Sequence, residues 1–283
     1  MTYRIQAVES SRSPDFEAAY GALAAEFAPR GELERRDVVA RWLDQPPASS
    51  REGGFLLTYR LLTAHDEAGV LAGVRDCHVI LDPRDGVAVV YLAHVLVLPA
   101  FRRAGLGALL RSEPLALARR ALADAGMADR PVDVLLAAEM EPASLGDEAS
   151  VVRLAAYAKD GFAVISPAAL PYCQPDFREL RSANEARPIP LLAVVRRLGH
   201  EGEATLPVRL ARAFVKHLYA VFATHVRADH LAALERRTLA VLDGFAPLDE
   251  VPLLPLPRAI DDQEAVIPLS RTSVLSFFPE ELR

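Results

Sequence analysis

Residues 97–110 read Val-Leu-Pro-Ala-Phe-Arg-Arg-Ala-Gly-Leu-Gly-Ala-Leu-Leu, so two adjacent arginines and two closely spaced glycines separate a β-like run from a helical one. Amides at the start of a helix lack an intrahelical acceptor and lie at the positive end of the helix dipole. Glycine lets backbone approach ligand oxygens closely, and guanidinium groups add charge-assisted donors. The chemistry that this spacing supports is binding of a diphosphate. Two other phosphate patterns are not met. A P-loop needs Gly-x-x-x-x-Gly-Lys-Ser/Thr, and the chain has no such string. The dinucleotide pattern Gly-x-Gly-x-x-Gly finds Leu110 at its third glycine, among strands that read as antiparallel rather than βαβ. Asp124 stands at about the spacing of a ribose-binding acid, but in a helix end.

The string Arg102-x-x-Gly105-x-Gly107, preceded by Val97-x-Pro99, resembles the acetyl-CoA loop of the GNAT superfamily. A second stretch, Ala156-Tyr157-Ala158-Lys159-Asp160-Gly161-Phe162, resembles that family's helix-to-strand passage. The resemblance implies an α/β (α+β) fold with a mixed, largely antiparallel central sheet flanked by helices. It implies an N-acetyltransferase that moves an acetyl group from acetyl-CoA to an amine by direct attack in a ternary complex, with no metal. The amides of Arg103, Ala104, Gly105, Leu106, Gly107 and Ala108, with Arg102 beside them, would then hold the pyrophosphate. The strand edge at Val95, Leu96 and Val97 would pair with the pantetheine arm.

Acyl transfer to an amine needs an ammonium deprotonated and a departing thiolate protonated. By resemblance Tyr157 donates to the thiolate; as a residue it also reads as a half-buried aromatic on an apolar helix face. Family members often carry a glutamate on the strand before the loop, where this chain has Ala93. The candidates for amine base are therefore His94, whose ring lies on one or the other sheet face, and Glu139 with Glu141 at the end of the next strand. The pattern Ala-Glu-x-Glu-Pro at 138–142 followed by Tyr-x-Gln-Pro at 172–175 resembles a group of GNAT-like proteins. Absence of the strand glutamate leaves open a different class, a non-catalytic acyl-CoA-binding sensor or scaffold. His217, His225 and His230 do not share one helix face, which argues against a metal site. Cys77 and His78, adjacent on a strand, point to opposite sides and form no nucleophile pair.

The elements that position these residues follow from periodicity. YRIQAVE from Tyr3 alternates as a strand, and Asp15 reads as a cap for the helix that follows. A second helix lies around Asp37 to Leu43, and the Pro-Pro-Ala-Ser-Ser-Arg-Glu-Gly-Gly run ending at Gly54 reads as a loop. Strands near 55–64, 70–81 and 87–98, joined by HDEAG and DPRDG turns, predict an antiparallel meander. Leu106, Leu109, Leu110, Leu115 and Leu117 predict a helix, kinked or ended at Pro114. Further strands are expected at 132–137, 162–165 and 188–197, with a helix over 149–159 between the first two.

This acyltransferase domain is read as residues 1–200. Residues 201–283 read as a helical extension with a Pro-rich tail, too rich in proline for regular elements. The Leu210, Phe214, Leu218 and Phe222 stripe predicts packing or a homodimer contact. With 283 residues, 51% apolar and 25% charged, the chain suits one domain plus an appended element. A net charge of −6 argues against a nucleic-acid partner and tilts toward cationic acceptors, small-molecule or protein amines. The longest apolar stretch, Val87 to Phe101, is broken by His94 and Pro99 and is short of the ~20 residues of a membrane span. Two cysteines and no signal-like N-terminus lead to the expectation of a soluble cytoplasmic protein.

Overall fold

The runs rich in Val, Leu, Tyr and Thr in the first half of the chain form strands, because such side chains pack well on a pleated surface. The computed structural model describes residues 2–45, 50–52, 54–144, 147–177 and 185–282, and it divides into two units, Met1–Val132 and Asp133–Arg283.

The first unit holds β1 (Arg4–Ala7), α1 (Pro14–Phe27), α2 (Arg36–Asp44), β2 (Ser50–Glu52), β3 (Phe55–His65), β4 (Leu71–Asp82), β5 (Val87–Val97) and α3 (Leu106–Asp124). Its strands run β1-β3-β4-β5, all antiparallel, with β2 on β3. Residues 50–52 of the expected loop form β2, and residues 46–49 and 53 lie outside the described residues. The cap of α1 is Ser13, whose side chain accepts from the Phe16 amide; Asp15 instead accepts from Gln6. Helix α3 continues through the buried Pro114, because the proline costs one donor while apolar neighbours on both sides stay packed.

The two faces of this sheet differ. On one, a Cβ at Gly73 would meet the Leu96 carbonyl at 2.8 Å and Leu110 Cδ1 at 3.0 Å, so glycine there admits the first turns of α3. Arg75 and its cross-strand partners Leu62 and Val95 share that face two residues further along. On the other face Trp42 of α2 packs against Tyr59 and His78, and Phe27 of α1 packs on His94.

The second unit holds β6 (Asp133–Met140), α4 (Glu148–Ala158), β7 (Ala163–Ile165), β8 (Cys173–Gln174), β9 (Ile189–Pro190), β10 (Leu192–Arg197), β11 (Thr205–Pro207), α5 (Val208–Phe222), α6 (Ala228–Asp243), β12 (Glu250–Pro255), α7 (Gln263–Val266) and α8 (Arg271–Leu275). Its strands run β6-β10-β7-β12-β11, antiparallel throughout the recorded pairs, while β8 and β9 form a separate hairpin. Residues 201–283 supply two strands, β11 and β12, as well as helices. The proline-rich stretch is regular after all: proline loses a donor but keeps its acceptor, and the Pro252 carbonyl takes the Ser166 amide at 2.9 Å. The α5 stripe of Leu210, Phe214, Leu218 and Phe222 is wholly buried within the chain, so it offers no face to a second copy.

Arg75 is 0% exposed, and no acceptor among the described residues reaches its Nε, Nη1 or Nη2. Guanidinium does not deprotonate in proteins, and a buried charge without a partner opposes folding. Arg75→Met, apolar and similarly long, is expected to raise stability by about 1–4 kcal/mol in chemical denaturation, the range seen when buried charges give way to packed apolar groups. An unchanged or lower midpoint would show that the guanidinium is stabilised by a group it meets in solution.

Candidate functional site

Strand β5 ends at Val97 and the chain reaches α3 through the exposed segment 102–105. Two left-handed residues make that turn, Arg103 at φ 63° and Gly105 at φ 82°, the latter as the N-cap of α3. Left-handed geometry suits glycine and is uncommon for arginine. Alternating the backbone hand tilts successive N–H groups into one concavity. The amides of residues 103–107 find no backbone acceptor among the described residues, whereas those of Phe101, Arg102, Ala108 and Leu109 do. Arg102 folds back, its Nε donating to the Val97 carbonyl at 3.2 Å, so that carbonyl is engaged within the chain. The segment Val95 to Val97 alternates half-buried, buried, half-buried. A Cβ at Gly107 would meet Arg111 Nη1 at 3.4 Å and Val97 Cγ2 at 3.8 Å, so among the described residues no clash requires glycine there.

His94 sits just past a bulge in β5: Asp76 opposes His94 and His78 opposes Tyr91, leaving Leu92 and Ala93 against Cys77 alone. The imidazole lies on the face covered by α1, 7% exposed, with Nδ1 at 3.1 Å from Asp76 Oδ1 and Nε2 at 3.0 Å from the Glu32 carbonyl. Asp76 also accepts from the His94 amide at 2.7 Å and from the Tyr59 hydroxyl at 3.1 Å. Burial by itself would push the imidazole down, yet the Asp76 carboxylate beside it and the bonds it makes hold it up at about 9. Burial likewise raises the Asp76 carboxyl, and His94 outweighs this, so it lies below its ordinary value. Both ring nitrogens then donate, and an imidazolium with no lone pair to offer is not an amine base. In the structure the ring ties the chain after α1 to β4 and β5.

In the second unit Glu139 lies near the end of β6, paired in register with Ala193, and its Oε1 accepts from the Tyr172 hydroxyl at 2.6 Å. Glu141 points elsewhere and pairs with Arg153 at 2.6 Å in the open. Tyr157 is 8% exposed on α4 and meets Phe162 edge-on at 5.0 Å between centroids. The sequence around it has a local reason. The Phe162 amide bonds back to the Tyr157 carbonyl and the Gly161 amide to the Ala158 carbonyl, while Gly161 is left-handed at φ 79°. This is a Schellman termination with its usual apolar contact, so Tyr-x-x-x-Gly-Phe is what the helix end itself calls for.

Sequence reasoning missed Asp76 and Tyr172 as partners of His94 and Glu139, because contacts 18 and 33 residues apart leave no periodic signal. Burial pushes both thiols up to about 12, with Arg75 opposing it at Cys77 and Arg237 at Cys173, so neither is a nucleophile at neutral pH. Among the described residues no cluster of His, Cys, Asp or Glu has the makings of a metal site, and no helix is long and apolar enough to cross a membrane.

No family model and no curated protein matches the chain. Solved structures that overlap it in part include a GCN5-related glucosamine N-acetyltransferase region of a fungal multi-domain GH3 β-N-acetylglucosaminidase, at 16% identity and a TM-score of 0.38 over 58% of this chain and 18% of that one. Another is a tandem GNAT protein from the clavulanic acid biosynthesis pathway, at 19% and 0.40 over 62% and 47%. A third is Ard1 from Thermoplasma volcanium, at 17% and 0.40 over 70% and 98%. The chain thus spans under half the length of the first two.

The raised His94 group sets a pH dependence. Its contribution to stability is complete below its ordinary value of 6.5 and is lost as the pH climbs through about 9. Urea midpoints measured from pH 6 to 10 should therefore fall across that window, and the fall should flatten in His94→Gln. Equal slopes in the two proteins would place the titration elsewhere.

Proposed function

We propose that this chain is an acyl-CoA-dependent N-acyltransferase of the GNAT type, most simply an acetyltransferase acting on an amine acceptor. The observation that carries the reading is the turn from β5 into α3. Its amides at 103–107 find no backbone acceptor among the described residues, its backbone is left-handed at Arg103 and Gly105, and the arginines at 102 and 103 are exposed. Fixed N–H groups at the positive end of a 19-residue helix suit a diphosphate without side-chain help. A Cβ at Gly107 would make only ordinary contacts with Arg111 and Val97, which is compatible with a glycine kept small for a ligand.

In the proposed reaction Glu139 takes a proton from the acceptor ammonium, and the neutral amine attacks the thioester carbonyl. The tetrahedral intermediate collapses with cleavage of the carbon–sulfur bond, and the Tyr157 phenol gives its proton to the departing thiolate. The surplus proton on nitrogen and the one taken up by Glu139 leave to solvent, from which the phenol recovers its own. His94 takes no part in proton transfer, for the reason its two bonds give. The acidic chain suits a cationic acceptor, a small-molecule amine in the first instance, in the cytoplasm. A second reading, an acyl-CoA-binding module without turnover, is favoured by one observation: neither Ala93 nor the engaged His94 offers a base on β5.

Gly107→Glu tests the carrying observation. A carboxylate at the helix start occupies and repels the phosphate position, so acetyl-CoA affinity should fall by about 100-fold or more in titration calorimetry while the melting temperature stays within a few degrees. Unchanged affinity would place the diphosphate away from this turn.

A further inference from the structure

Two sequence patterns, Ala-Glu-x-Glu-Pro at 138–142 and Tyr-x-Gln-Pro at 172–175, stand apart in the chain and meet in space. The bond that joins them runs from the Tyr172 hydroxyl to Glu139 Oε1, at 2.6 Å. Tyr172 is 0% exposed, and its ring is boxed by Phe214 at 5.1 Å, edge-on, and Tyr219 at 5.8 Å, both from α5. A phenol enclosed in this way has one orientation, and a buried hydroxyl needs an acceptor.

The segment that carries Tyr172 is itself held at many points. The Leu191 amide donates to the Tyr172 carbonyl, and β8 pairs with β9 just beyond. The Tyr219 hydroxyl donates to the Cys173 carbonyl at 2.8 Å, and Arg237 of α6 reaches the Cys173 sulfur at 3.6 Å. The Asp176 amide donates to His230 Nε2 at 3.3 Å, and burial keeps that imidazole below its ordinary value and so able to accept. Asp176 in turn accepts the Arg187 amide at 2.9 Å.

From this arrangement we infer that Tyr172 is the positioning residue of Glu139, and that α5 and α6 serve to present its phenol to that carboxylate. The inference rests on the reading of Glu139 as the amine base. A short bond to one oxygen fixes the carboxylate rotamer and favours its ionised form, the form that accepts a proton. It also gives the C-terminal helices a catalytic reason to be attached to this part of the sheet.

The test uses the full chain and three proteins: the parent, Tyr172→Phe, and Glu139→Gln. Phenylalanine keeps the ring and its packing against Phe214 and Tyr219, and thermal melting checks that the fold is retained. Carbon-13 NMR of glutamate carboxyls, with Glu139 assigned by its loss in Glu139→Gln, follows the titration directly. The acid limb of kcat/KM with acetyl-CoA and spermidine, kanamycin or lysine, whichever is turned over, follows it in catalysis. In Tyr172→Phe both midpoints should move to higher pH together, kcat/KM at the optimum should fall about tenfold, and acetyl-CoA affinity should not change. A carboxyl titration that stays where it was overturns the positioning role, and if Glu139→Gln is nonetheless inactive the base reading survives alone. A carboxyl that shifts while the rate profile does not, or a Glu139→Gln protein that keeps its activity, removes Glu139 as base and the inference with it.

Discussion

The functional reading depends on one constraint, the change of backbone hand between β5 and α3. A strand that feeds a helix would ordinarily leave its connecting amides to water or to a side-chain cap, and α3 has no capping side chain. Here Arg103 and Gly105 take left-handed geometry, and the amides of residues 103–107 find no backbone acceptor among the described residues. The rest of the first unit keeps this turn in place. Gly73 lets Leu106 and Leu110 settle on β4, and Phe101 and Val97 close the apolar cluster beneath them. On the opposite face the Asp76–His94 pair and the Trp42, Tyr59 and His78 rings fix β5 against α1 and α2. A rigid strand thus aims a turn whose own side chains are exposed.

Much of this was legible in sequence because it is local. Hydrophobic alternation placed β3, β4 and β5 within two residues of their ends, and the arginine-glycine string located the turn. What the sequence left open was non-local or dual in meaning. The partners of His94, Asp76 and the Glu32 carbonyl, lie far from it in the chain and leave no periodic signal. Tyr157-x-x-x-Gly161-Phe162 reads both as a family-like passage and as packing, and the Schellman helix end accounts for its glycine and its phenylalanine before any chemistry is invoked. Prolines at 252 and 255 argued against a strand, and β12 forms because pairing on two sides supplies more than the missing donors remove.

The C-terminal region changes meaning most. As sequence it is an amphipathic stripe awaiting a partner; in the structure that stripe is the inner face of the second unit, and β11 and β12 extend the sheet begun by β6 and β10. Its helices also reach the segment 172–176 with side chains that touch nothing catalytic themselves, Tyr219, His230 and Arg237. Polar bonds of this kind, largely buried, specify one geometry more than they add stability.

Under the proposed function the chain transfers an acyl group and does not merely hold its carrier. The most direct measurement is release of free thiol on mixing the protein with acetyl-CoA and each of a polyamine, an aminoglycoside, an amino acid and a lysine peptide, followed with a thiol-reactive chromophore. Both cysteines of the protein are buried, so the signal reports the coenzyme. The account predicts amine-dependent release with at least one acceptor class, well above the rate without amine. Saturable binding of acetyl-CoA with no release beyond that background, for every amine, would contradict it and leave a binding module.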